Sequence, residues 1–124
     1  MDKKIILAID DNVTQLDIFN KMLSSKYDIR VVKSASDALN FMNSNLVDII
    51  LLDIEMPNVS GFEFLYDIRK IPSYMLVPII IISGNTGQEF FKKAKSSSAF
   101  DVLTKPIHQD VLIPIIENAL ASAK

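Results

Sequence analysis

Three short stretches of this chain are apolar at almost every position: Ile5 to Ile9, Val47 to Leu52 and Val77 to Ile82. A strand with one wet face alternates apolar and polar side chains. Near-continuous apolar runs instead mark strands covered on both faces, the pattern of a parallel sheet held between layers of helices. Ile29 to Val32 and the weaker Val102-Leu103 read as two further strands.

Between these runs the apolar residues recur at helical spacing: Val13, Leu16, Phe19 and Leu23, then Ala38, Leu39 and Met42, then Phe62, Leu65 and Ile68. Ser60-Gly61-Phe62-Glu63 and Thr86-Gly87-Gln88-Glu89 carry a capping-box pattern, which makes those two helix starts the best defined. A last helix is expected near Asp110 to Ser122 with Ile113, Ile116 and Leu120 on one face; Pro114 inside it calls for a late start or a kink. Strand and helix alternate five times, which argues for an α/β fold: a doubly wound, five-stranded parallel sheet with right-handed crossovers. At 124 residues, without linker, repeat or low-complexity tail, a single domain over residues 1–124 is expected.

Composition narrows the function. The hydrophobic fraction of 49% and charged fraction of 23% are those of a chain that folds unaided. A net charge of -2 and the lack of a long basic run argue against direct nucleic-acid binding. With no cysteine there is no disulfide framework or thiolate metal site, which suits a reducing cytoplasm, and the single His108 cannot build a histidine cluster. Met1-Asp2-Lys3-Lys4 leads into a short apolar run that stops at Asp10, and no stretch approaches the roughly 18 apolar residues of a membrane span, so a cytoplasmic protein is expected.

In open α/β sheets ligands bind beyond the carboxyl ends of the strands. The first run ends in Asp10-Asp11, the third in Asp53, the fourth in Ser83 and the fifth in Thr104-Lys105-Pro106. Three carboxylates on one rim carry -3 and Lys105 supplies +1, leaving a charge that a divalent cation would neutralise. Hard oxygen ligands in small number suit Mg²⁺; the D-x-D-x-D-G loop of a calcium site is absent. With metal bound, Asp53 is a candidate nucleophile toward phosphorus, Lys105 would neutralise phosphoryl oxygens, Ser83 offers a hydroxyl, and Gly84 leaves space for the phosphate.

Plainer readings exist for each residue. Asp10 or Asp11 could cap the helix that follows, Asp53 could end a strand before Met56-Pro57, Lys105 could be a solvated charge, and Ser83 could cap a turn. His108 reads as an exposed or capping residue. Lys92, Lys93 and Lys95 read as a solvated helix face, with Phe90 and Phe91 as an alternative docking surface, and Met22, Met42 and Met75 as core filling.

Taken together, Ile9-Asp10-Asp11-Asn12, Leu51-Leu52-Asp53-Ile54-Glu55-Met56-Pro57 with Gly61, Ile82-Ser83-Gly84 and Leu103-Thr104-Lys105-Pro106 resemble the receiver domains of two-component response regulators, over essentially the whole chain. The resemblance implies a flavodoxin-like strand order 2-1-3-4-5 with helices on both faces. By the same likeness Asp53 is the phosphoacceptor, Asp10, Asp11, Asp53 and the backbone carbonyl of Glu55 hold Mg²⁺, Ser83 is the switch hydroxyl and Lys105 contacts the phosphoryl group. It implies a histidine kinase or histidine phosphotransfer protein as donor, a separate effector protein as target because no output domain is attached, and a cis peptide before Pro106. Such a domain is a signalling switch that catalyses only its own phosphorylation and dephosphorylation. Two positions depart from the family pattern. Val102 stands where Tyr or Phe is usual, and Ser98-Ala99-Phe100-Asp101 stands where Gly-Ala usually precedes the last strand.

Three other functions compete. An aspartate-nucleophile phosphatase would carry Asp-x-Asp at the first strand, where this chain has Asp10-Asp11-Asn12. A flavodoxin-like electron carrier needs a phosphate-cradling first loop rich in Ser, Thr and Gly. A degenerate receiver acting only by binding would not need Asp53 and Lys105.

Overall fold

The computed structural model describes residues 3–123; Met1 and Asp2, the start of the charged lead-in, lie outside the described residues. Five strands, β1 (Ile5–Ile9), β2 (Asp28–Val32), β3 (Ile49–Asp53), β4 (Ile79–Ser83) and β5 (Asp101–Thr104), pair in parallel in the order β2-β1-β3-β4-β5. Five helices connect or follow them: α1 (Val13–Leu23), α2 (Ala35–Ser44), α3 (Gly61–Lys70), α4 (Gln88–Ser96) and α5 (Gln109–Ser122), with a 3-10 turn at Pro72–Tyr74.

Side-chain parity along the strands builds two cores. Leu7, Ile9, Ile50, Leu52, Ile79 and Ile81 face one side, where α2, α3 and α4 cover them with Ala38, Met42, Phe64, Leu65, Ile68 and Ala94. Ile6, Ala8, Ile49, Leu51, Ile80 and Ile82 face the other, under Leu16, Phe19 and Leu23 of α1 and Leu112, Ile116 and Ala119 of α5. The central strands β3 and β4 are buried at every residue, which is why they show no alternation; the edge strands β2 and β5 are only partly covered and give the weaker signals.

Several expectations are corrected. Thr86 does not cap α4: the helix starts after Gly87, with no side-chain cap, and Asn85 Oδ1 accepts from the Gly87 N–H at 2.8 Å instead. Asn85 forms this turn two residues ahead and leaves the Thr86 hydroxyl unused as a cap. At Ser60 the hydroxyl half of the box forms, with Ser60 Oγ accepting from the Glu63 N–H at 3.4 Å. α5 does not start late; it runs unbroken through Pro114. Pro114 cannot donate to the carbonyl of Asp110, and both residues are exposed, so water can satisfy that oxygen. Val13 is 61% exposed at the first turn of α1, and Met75 is 56% exposed beyond the 3-10 turn, so neither fills the core.

Gly61 opens α3 against the loop that leaves β3. A Cβ at this position would lie 2.3 Å from the carbonyl oxygen of Ile54, so the close approach of these two backbones requires glycine. Gly61→Ala is therefore expected to destabilise the fold by about 3 kcal/mol despite the better helix propensity of alanine, because the two closest clashes are with the Ile54 backbone, which cannot rotate away as a side chain can. Urea unfolding of the two proteins checks this; an unchanged or higher midpoint would contradict it.

Candidate functional site

β1, β3 and β4 end level with one another, and each terminal side chain is polar. Asp10, just past β1, and Ser83, the last residue of β4, are fully buried, and Asp53, the last residue of β3, is 3% exposed. Lys105 follows β5, whose end is tied to β4 by the Lys105 N–H donating to the Ser83 carbonyl at 2.8 Å, and the Lys105-Pro106 peptide is cis. The sheet thus brings Asp10, Asp11, Asp53, Ser83 and Lys105 to one rim. The capping alternative for Asp10 and Asp11 does not hold, because the residue that caps α1 is Asn12, whose Oδ1 accepts from the Gln15 N–H at 3.1 Å.

Asp10 and Asp53 are held in the same way. Oδ1 of Asp10 accepts from the N–H of Asn12 at 2.9 Å, and Oδ1 of Asp53 accepts from the N–H of Glu55 at 3.1 Å. Both Oδ2 atoms turn toward Lys105, whose Nζ lies 3.3 Å from Asp10 and 3.5 Å from Asp53. Oδ2 of Asp10 is buried and accepts no hydrogen bond; the lysine beside it acts as a charge. Exposed Asp11 completes a group in which one carboxylate oxygen from each of Asp10, Asp11 and Asp53 lies within 4.8 Å of the others. An unshared buried anionic oxygen beside two further hard oxygens is a donor set that fits Mg²⁺.

Burial pushes the Asp53 carboxyl up to about 6; the Glu55 N–H and the Lys105 charge oppose this, and the nearby Asp10 charge adds to it. For Lys105 burial disfavours the ammonium, but the attraction of Asp53 and Asp10 prevails and raises it above its ordinary value. The single cation is therefore fixed as a charge while the acids beside it compete for it.

Two features were missed by the reading of residue types and spacing. The side chain of Glu55, considered there only for its backbone carbonyl, accepts from Ser83 Oγ at 2.8 Å and from the Gly84 N–H at 3.0 Å. Asn85 links the site to α4, since its N–H donates to Ser83 Oγ at 2.9 Å while its side chain accepts from Gly87. A polar residue two positions after Ser83 is a turn signal in the sequence, although Thr86 masks it. Elsewhere His108 precedes α5 as an exposed residue with no side-chain cap, and Lys92, Lys93 and Lys95 are exposed. Phe90 and Phe91 are only partly exposed, and Phe90 packs against Phe62 with ring centroids 5.9 Å apart.

Residues 6–117 match the response regulator receiver domain family. The chain belongs to that family. It is 37% identical over 106 residues to protein-glutamate methylesterase/protein-glutamine glutaminase 1 of Chromobacterium violaceum, a match covering 82% of this chain and 29% of that protein. It is 30% identical over 121 residues to the cell cycle response regulator CtrA of Brucella ovis, covering 98% of this chain and 51% of the regulator. Among solved structures, the chemotaxis protein CheY4 of Vibrio cholerae superposes with a TM-score of 0.88 at 25% identity, covering 95% of this chain and 99% of that one. The chain spans less than a third of the methylesterase and about half of the regulator. Receiver domains work in phosphorelay signalling: they take a phosphoryl group from histidine kinases, bind Mg²⁺ at an acidic pocket and act on downstream effectors. Among the described residues no helix is long and apolar enough to cross a membrane.

The raised Asp53 carboxyl has a consequence for the metal-free receiver domain. Folding favours the protonated form, so this contribution to stability is complete below the ordinary value of 3.8 and is lost as pH rises through about 6. Asp53→Asn removes the charge and is expected to stabilise the chelator-treated protein at pH 7 by about 1–2 kcal/mol, allowing for screening at the mouth of the site. Thermal melts of both proteins from pH 4 to pH 8 test this. The gap should open between pH 4 and 6; a constant gap, or a less stable variant at pH 7, would contradict it.

Proposed function

We propose that this receiver domain accepts a phosphoryl group on Asp53 and answers by changing the surface around α4. The observation that carries the reading is Lys105, set between the inward oxygens of Asp10 and Asp53 beside a buried Asp10 oxygen that accepts no hydrogen bond. Such a set suits phosphoryl transfer, where positioning and neutralisation do most of the work.

A carboxylate oxygen of Asp53 forms the new bond to phosphorus while the bond from phosphorus to the donor breaks, and the leaving group keeps the bonding pair and picks up a proton. The donor is the phosphohistidine of a histidine kinase or histidine phosphotransfer protein. Asp10, Asp11, Asp53 and the backbone carbonyl of Glu55 would hold Mg²⁺, which when bound supplies positive charge against the transferring oxygens. Lys105 neutralises a further oxygen, and the Ser83 hydroxyl donates to another. Hydrolysis of the acyl phosphate at phosphorus returns Asp53 and releases inorganic phosphate, so the only substrate turned over is the domain's own phosphorylated form.

Phosphorylation replaces one negative charge by roughly two and adds acceptor oxygens. Ser83 drawn toward them pulls on Asn85, which holds Gly87 and the start of α4. The stiff, partly buried Val102 offers no ring to swing, and Phe100, 40% exposed beside the start of β5, sits at the opposite end of the strand from Lys105. The response therefore travels through the backbone at residues 83–91. The receiver acts in the cytoplasm on a downstream effector, without direct DNA binding; a net charge of -2 supports that last point.

Acetyl phosphate and Mg²⁺ should label the wild-type chain with one phosphoryl group, read as intact mass, and Asp53→Asn should take none. Mg²⁺ should raise the melting temperature, and Asp11→Ala should weaken that rise. Stoichiometric labelling of Asp53→Asn at the native rate would reassign the acceptor. With Mg²⁺ and beryllium fluoride, amide shifts should spread from 83 through 91; shifts confined to the neighbours of Asp53 would remove the coupling to α4.

A further inference from the structure

Glu55 lies two residues beyond Asp53, and its side chain reaches the end of β4. One oxygen, Oε1, takes both polar hydrogens offered there, from Ser83 Oγ at 2.8 Å and from the Gly84 N–H at 3.0 Å. The Ser83 hydroxyl has a single proton, and its oxygen already accepts from Asn85 at 2.9 Å, so it cannot serve a second acceptor while Glu55 is in place. In the resting domain a carboxylate oxygen thus fills the role that a phosphoryl oxygen would take over.

We infer that the Glu55 carboxylate is a resident competitor for the donors at the end of β4, holding Ser83 and Gly84 in the resting arrangement until a phosphorylated Asp53 displaces it. This rests on the reading of Asp53 as phosphoacceptor and adds a gate to it. Displacement has an open route: Glu55 is an exposed residue, and a Cβ built on Gly84 would meet only Glu55 Oε1, at 3.9 Å. The freed carboxylate can pass into water, where its charge is solvated and screened from the phosphate. Ser83 is also the atom through which Asn85 and α4 are held, so the same competition sets how firmly the domain stays in its resting state.

The test compares wild type, Glu55→Ala, Ser83→Ala and the double variant. Without metal, the Gly84 amide proton of Glu55→Ala should move upfield as it loses its carboxylate acceptor. On titration with beryllium fluoride at fixed Mg²⁺, followed by amide shifts, Glu55→Ala should bind about fivefold more tightly than wild type, the equivalent of one net hydrogen bond. In the Ser83→Ala background the gain should fall below half of that, since one of the two contested donors is gone. Equal affinity of wild type and Glu55→Ala would overturn the gate while leaving Asp53 as acceptor. An undiminished gain in the Ser83→Ala background would overturn it too, reducing Glu55 to a charge that repels the anion. If wild type and Glu55→Ala alike fail to bind and Asp53 fails to label, the acceptor reading falls and the gate with it.

Discussion

Everything at the functional end of this molecule depends on a shortage of positive charge. Asp10 and Asp53 are buried with their inward oxygens near one ammonium, Asp11 stands beside them, and among the described residues no second cation is paired with the group. Water can screen exposed Asp11, but burial of Asp10 and Asp53 at the strand ends removes most of that relief from the other two acids. Burial chiefly, with the Asp10 charge adding to it, holds the Asp53 carboxyl above its ordinary value. The backbone relieves part of it by spending one N–H on each buried acid, from Asn12 and from Glu55, which also fixes the direction in which the remaining oxygen points. What is left over is a set of oxygens that suits a dication.

The sheet makes this cluster tolerable. Strands that are apolar on both faces bury nearly every residue of β3 and β4, and two helical layers close over them. The stability gained there allows a destabilising cluster to persist at the rim, the usual relation between a rigid scaffold and a strained site. The geometry also follows from the topology. With β3 at the centre between β1 and β4, the ends of β1, β3 and β4 are adjacent, so residues 43 and 30 positions apart in sequence converge without any long loop.

The central strands were legible because burial on both faces leaves only apolar residues, and the site was legible because each of those runs stops abruptly at an acid or a hydroxyl. Legibility failed where one local signal competed with another. Thr86 offered a cap, but Asn85 reaches the backbone two residues on and takes the turn first. Pro114 looked incompatible with a helix interior, yet it sits on the wet side of α5 where the orphaned carbonyl can be solvated. Val13 and Met75 have the spacing or neighbours of core residues but lie at element ends, beyond the cover of the opposite layer. Glu55 was the hardest case. Its side chain acts on residues 28 and 29 positions later, and nothing in the local sequence says where a flexible acid will find its donors.

Ser83 is where these threads cross. Its hydroxyl donates to Glu55 and accepts from Asn85, while its carbonyl accepts from Lys105, so one residue touches the gate, the path to α4 and the strand end that carries the lysine. A hydroxyl suits this position because it rotates at little cost and can exchange acceptors without moving its own backbone far. A carboxylate there would add to the charge shortage, and an apolar group would leave the Asn85 N–H without its acceptor and Glu55 with the Gly84 N–H alone. The same reasoning accounts for the stiffness of Val102 on the neighbouring strand. With no ring to relocate, a change of acceptor at Ser83 has only the 83–87 backbone along which to spread, and that backbone is held to α4 by two hydrogen bonds through Asn85. On the proposed function, a small rearrangement in the site would pass to the helix as a pull on its first turn and not as a repacking of the core behind it.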